Sequence, residues 1–246
     1  MIKRLFNRND NIAILIAGIF SIIIGLGVAR FAFTGLIPAM LDDYLTIKFV
    51  GILASLNFAG YLSGSIFSIF VKDINFKVYL YRFGIFLAIS TTFILAYSDN
   101  NTLWMIGRVL AGFAGAMCLI VGTSIVMQKL TIKSKTKAMG IHFSGIGFSI
   151  LTTDLLARFV LSLNYTWRDS WAVLAVFAII LSLYSVYILS FDKEVKQNAV
   201  KVKFDISIFT PFVIVLIIAY FTEGVGFVVQ ATFLPDIINN LKGLEG

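Results

Sequence analysis

Arg30, Arg108, Asp154 and Glu223 are ionisable residues set inside otherwise apolar stretches of this chain. A charge at the centre of a membrane helix costs on the order of 2.5–3.5 kcal/mol on insertion scales, so such residues usually face a cavity or one another. At about 1.5 Å of rise per residue, Arg108 lies roughly 9 Å from Thr102, and Asp154 and Glu223 each roughly 25 Å from Lys137 and Ile206. Arg30 is similarly far along its stretch. All four then share the outer half of a hydrocarbon core about 30 Å thick, and their formal charges cancel. The expectation is a cluster from the first, fourth and seventh helices lining a pathway, with Asp154 a looser neighbour. Arg30 and Arg108 would bind an anionic group or hold Glu223 ionised, and Glu223 would be the protonatable switch. The structural alternative has Asp154 reaching the headgroups and Arg30 snorkelling.

Other chemistry is sparse. His142 is the only histidine and has no cysteine or carboxylate at ligand spacing, so no metal site is expected. Ser144 stands two positions away, which on a helix points it elsewhere. His142 is therefore expected to hydrogen-bond between helices rather than relay protons. Cys118 has no second cysteine to pair with. No phosphate-binding loop or dinucleotide fingerprint is present, so neither an enzyme nor a cofactor is expected.

The elements that position these residues follow from composition. Of 246 residues, 59% are hydrophobic and 13% charged, and the mean hydropathy is +0.93. A soluble domain is about a quarter charged; this chain lacks the polar surface to face water. The net charge of +7 does not point to nucleic acid, because the basic residues sit in short runs between long apolar stretches. Seven stretches are long enough to span a bilayer: Asn11–Leu41, Phe49–Val71, Phe76–Tyr97, Thr102–Met127, Ala138–Leu156, Trp171–Phe191 and Ile206–Ile238.

Fourteen of the 20 lysines and arginines fall on one side: Lys3, Arg4 and Arg8; Lys72, Lys77 and Arg82; Lys129, Lys133, Lys135 and Lys137; Lys193, Lys196, Lys201 and Lys203. Lys48, Arg158, Arg168 and Lys242 fall on the other. This bias places the N-terminus in the cytoplasm and, after seven crossings, the C-terminus outside. Trp104, Trp167 and Trp171 all lie at outer ends, where aromatic belts are expected. Gly60 and Gly64, Gly112 and Gly115, and Gly145 are expected to let helix backbones approach closely, as are Gly107, Gly122, Gly140 and Gly147.

Residues 34–40 and 231–237 echo one another: aligning Pro38 with Pro235 also aligns Gly27 with Gly224. The offset spans six helices and a charged loop, the pattern of a parallel repeat of two six-helix halves.

The stretch from Gly25 to Pro38, with Arg30 and Thr34, resembles the first-helix signature of the YbfB/YjiJ branch of the major facilitator superfamily. Asn57-Phe-Ala-Gly60-Tyr61-Leu-Ser-Gly64 is similar to that branch's second helix, and Glu223 to Pro235 to its seventh. Arg108 to Ala116 resembles the wider superfamily's fourth-helix motif. Gly35 replaces the branch's usual proline, the second-to-third loop motif survives only as Asp73-Ile-Asn-Phe-Lys77, and the fifth helix lacks the proline associated with antiporters. The resemblance therefore does not extend to antiport or drug efflux.

What the resemblance implies is an all-α integral membrane protein of the inner membrane. Residues 1–191 would form the N-terminal six-helix half, 192–205 a central cytoplasmic loop, and 206–246 the first helix of an incomplete second half. Helices one, four and seven line the cavity in the superfamily. The expected function is alternating-access secondary transport of a small solute, an anionic one if the arginines bind it, with proton coupling as symport. Partners would be the lipid bilayer, an unidentified solute and protons. A single chain is not expected to transport alone; self-association is the alternative route to a complete cavity. A non-transporting membrane subunit or inactive fragment is the second hypothesis. A seven-helix receptor is the third, disfavoured because no span interior carries a lysine for a retinal Schiff base and the N-terminus is expected inside. A cytoplasm-only reporter fused to the C-terminus should be silent; activity there would refute the odd number of crossings.

Overall fold

Helix starts are written into short polar residues. Asp10, Thr46, Asp73 and Asn100 each accept a hydrogen bond from a backbone N–H of the first helical turn, and Thr166 does so within a reciprocal capping box with Asp169. These caps satisfy donors that the helix itself leaves orphaned. The computed structural model describes residues 6–41, 43–131, 135–190 and 209–242, with side chains except for 227–229 and 231–242. Lys3, Arg4, Lys133 and the 192–205 loop with its four lysines lie outside the described residues, as do the side chains of Pro235 and Lys242.

Seven helices run through the described residues. They are α1 (Asn11–Leu41), α2 (Ile47–Phe70), α3 (Ile74–Tyr97), α4 (Asn101–Lys129), α5 (Lys135–Ser162), α6 (Trp167–Ile188) and α7 (Pro211–Lys242). The first six are long and apolar enough to cross a membrane; α7 opens with the shorter apolar stretch Pro211–Gly226. The chain divides into two compact units, residues 1–197 and 198–246. In the first, α1 is the hub, packing on α3, α4, α5 and α6, while α2 lies along α4.

Several boundaries move from their expected places. Helix α5 runs three residues earlier and six later than its apolar stretch, because the stems of Lys135, Lys137 and Arg158 can lie along apolar surface while their charges reach water. Arg158 thus belongs to a helix rather than a loop. The Thr166 capping box starts α6 at Trp167 rather than Trp171. Helix α7 begins at Pro211, where proline's missing N–H costs nothing. Glu223 is then twelve residues in, about 18 Å along the axis rather than 25 Å; within its own unit it is exposed.

The tryptophans do not form a perimeter belt. Trp104, Trp167 and Trp171 are buried. Trp104 and Trp167 pack edge-to-face at 5.9 Å and both rings contact Tyr44. Trp104 Nε1 donates to the Ser98 carbonyl and Trp167 Nε1 to Asp43. Arg168 stacks over Trp167 and pairs with Asp99. Tyr44 O–H donates to the Asp99 carbonyl. Burial, with the Asp99 charge adding to it and Arg168 opposing, holds the Tyr44 phenol above its ordinary range. The engaged polar handles of Trp104, Trp167 and Tyr44 let this end of the bundle close on itself rather than face headgroups, while the buried Trp171 Nε1 has no hydrogen-bond partner.

At the opposite end, Lys129 donates to the Ile188 and Ser190 carbonyls, capping the end of α6, where cations meet the negative end of the helix dipole. Lys77, the last residue of the degenerate loop motif, donates to Ser124 across α3 and α4.

The tightest seam is between α2 and α4. A Cβ at Gly60 would stand 2.8 Å from the Val109 carbonyl carbon, and one at Gly112 2.7 Å from the Tyr61 amide nitrogen. Gly64 meets Ala116 and Phe113, Gly115 meets the Gly25 carbonyl, and Gly145 meets Ile19. Gly140 and Gly147 meet nothing within 4 Å, because they occupy the outward face of α5. Gly60→Ala or Gly112→Ala should therefore lower the apparent Tm by about 5–10 °C, from a clash that backbone cannot relieve. Gly140→Ala should leave it unchanged or raise it; equal losses in all three would refute the seam.

Candidate functional site

Two helices widen at the same level. Residues Ile23–Phe31 of α1 and Met117–Val121 of α4 are π-helical, a geometry that recurs at functional positions. They touch where side chains are smallest: Gly25 lies against Cys118, with Gly115 behind it. Each helix supplies a donor to a carbonyl in the other's widened segment. Ser21 Oγ donates to the Cys118 carbonyl at 2.9 Å, and Arg108 Nη1 to the Ala29 carbonyl at 3.1 Å.

Arg108 is 2% exposed. Its guanidinium carbon lies 4.3 Å from the centroid of Phe33, and its Nε has no hydrogen-bond partner. Its own carbonyl accepts from Asn57 Nδ2 at 3.0 Å, a contact made possible by the Gly60–Gly112 seam. Arg30 follows Ala29 directly and is part-exposed. Its guanidinium carbon lies 4.3 Å from the Phe58 centroid, 5.2 Å from Tyr61 and 5.5 Å from Phe31. Among the described residues no carboxylate forms a salt bridge with either arginine.

Asp154 stands apart from this pair in its bonding. It binds Arg158 Nε at 2.7 Å, one turn along α5 and well exposed, and it lies against α1 at Gly35, whose missing Cβ gives it room. Glu223 belongs to the second unit. Among the four charges, the first unit therefore links Arg30 to Arg108 through Ala29 and gives Asp154 a separate partner.

His142 is fully buried and shares a hydrogen bond with Thr123 at 2.9 Å, joining α5 to α4. Its Nδ1 faces the notch at Gly18. Cys118 is buried and free. Among the described residues no group of histidine, cysteine and carboxylates could hold a metal ion. An apolar groove of about 460 Å³, lined by Phe6, Ile180, Leu183, Tyr184 and Tyr187, contains none of the four charges.

The roles of Asn57, Phe33, Phe58 and Tyr61 were not assigned from the sequence. Phe58 and Tyr61 are three residues apart, which puts both rings on one face of α2, and Asn57 is a lone amide in a mostly apolar run. Those signals were present, but no spacing rule says that the face meets Arg30.

The family model described as "Uncharacterised MFS-type transporter YbfB" matches residues 22–244. A curated relative, "Protein TsgA homolog" of Buchnera aphidicola subsp. Baizongia pistaciae (strain Bp), is 24% identical over 161 residues, covering 64% of this chain. The match spans 41% of that relative's length. Because the Asp154–Arg158 pair is local and solvated, Asp154→Asn should cost only about 0.3–0.5 kcal/mol and leave the Tm within about 2 °C. A large fall in Tm would mean that Asp154 neutralises one of the buried arginines instead.

Proposed function

The chain belongs to the YbfB-like family of major facilitator transporters, and on that premise we propose that it works in proton-coupled secondary transport of a small anionic solute across the inner membrane. The single observation that carries the anionic part is the Arg30–Arg108 pair, two guanidinium groups within a bundle and without a described carboxylate partner. Keeping such charges in a membrane is costly, and that cost is offset when an anion occupies the site. The aromatic rings of Phe33, Phe58 and Tyr61 supply attraction to the cations without neutralising them.

Glu223 is the protonatable group of this scheme. It is the only carboxylate inside the apolar stretch of α7 that heads the second unit. Ionised, it opposes entry of a second negative charge; protonated, it admits one. Coupling of solute to proton movement follows from that alternation, in a carrier that works by alternating access.

At the matching position of a family member with measurable transport, Glu223→Gln should abolish accumulation driven by a pH gradient and spare exchange of solute across liposomes. Gradient-driven accumulation that survives the change would remove Glu223 from the coupling mechanism.

A further inference from the structure

Arg30 and Arg108 carry the same charge in unlike surroundings. Arg108 is sealed: 2% exposed, beneath the Phe33 ring, with Nη1 engaged by the Ala29 carbonyl and its own carbonyl engaged by Asn57. An anion could reach it only if Phe33 or α1 moved. Arg30 is part-exposed, and its N–H groups make no hydrogen bond to any described residue. The three rings around it, Phe31, Phe58 and Tyr61, lie within 6 Å of its charge. Rings attract a guanidinium through their faces but cannot replace the two parallel oxygens that its fork of donors matches.

Granted the transport reading above, we infer that Arg30 is the residue that touches the solute and that Arg108 is a positioning residue acting through the Ala29 carbonyl. The solute is then a singly charged carboxylate with an apolar or aromatic body. One reachable fork pairs with one planar carboxylate in a bidentate fashion. The rings that flank it suit an apolar body and offer little to the second charge of a tetrahedral dianion, which needs several convergent donors. Arg108 adds positive potential from beneath and anchors the last turn of the π-helical segment, so that the fork of Arg30 keeps its place among the rings.

The test uses the full chain in nanodiscs, with benzoate and sulfate as probes at matched ionic strength, read by calorimetric affinity and by Tm. Benzoate should bind and sulfate should not. Arg30→Gln should weaken benzoate by about 10–100-fold, the loss of charge-assisted hydrogen bonds. Arg108→Lys should weaken it by only about 3–10-fold, the loss of one positioning bond, and Arg108→Met by more than Arg108→Lys. Phe58→Leu should weaken benzoate several-fold without lowering the ligand-free Tm, which keeps the test open should the arginine variants misfold. Equal binding of sulfate, or an Arg108→Lys loss as large as that of Arg30→Gln, would overturn this inference and leave anion transport standing. Benzoate binding untouched by Arg30→Gln would place the ligand elsewhere and overturn it too. Failure of both probes would overturn it together with the anionic part of the transport proposal.

Discussion

A buried guanidinium can find acceptors only among what the bundle brings to it, since no bulk water is available in a bilayer core. For Arg108 that acceptor is the carbonyl of Ala29 on α1, and the requirement propagates outward. The carbonyl is in reach only if α1 and α4 approach closely, which is why Gly25 and Gly115 face each other. Arg108 itself is held by Asn57 of α2, which needs α2 and α4 nearly in backbone contact, and Gly60 and Gly112 permit that. Replacing any of these small residues would disturb a charge several residues away.

The π-helical segments belong to the same constraint. A widened turn shifts side chains out of the regular i, i+4 rows and disturbs the backbone ladder. Here two such segments lie together, and each receives a side-chain donor from the opposite helix, Arg108 in one case and Ser21 in the other. The bonds are reciprocal, so neither segment can return to regular α-helix without breaking a contact that the other helix provides. Arg30 sits at the end of the widened segment of α1, so its side-chain direction is set by this pairing as well as by its own rotamer.

Much of this architecture was legible in the sequence because it rests on hydropathy and on residue size. Long apolar stretches located the helices, and the small-residue rows marked Gly60, Gly64, Gly112 and Gly115 as places of close approach, though not which helices meet there. What could not be read depends on helix rotation. Gly140 and Gly147 look like Gly112 and Gly115 in a list of small residues, yet they face outward, since nothing local distinguishes the two sides of α5. Trp104 and Trp167 were expected at the lipid boundary from their depth alone. Their burial follows from Asp43 and Tyr44 of the α1–α2 connection, at long sequence separation, and from the Ser98 carbonyl just after α3, six residues from Trp104. Depth also grouped Asp154 with the arginines, whereas Arg158 four residues along the same helix is its partner. For Asp154, a helical neighbour one turn away is a nearer partner than charges at the same depth on other helices.

The surviving question is why a bundle would retain two cations when apolar residues of similar volume often stabilise a buried site as well or better. For Arg108 the structure supplies an answer without any ligand: it ties α4 to α1 through Ala29 and fills the space beneath Phe33. No such account serves Arg30. Its three rings attract the guanidinium through their faces, but its N–H groups make no hydrogen bond to a described residue. On the transport reading proposed above, an anion at Arg30 would offset the cost of keeping its charge in the membrane, a cost to which the adjacent Arg108 adds. Negative charge brought to Arg30 would lower the repulsion between the two guanidinium groups; the rings around Arg30 attract its charge but do not neutralise it.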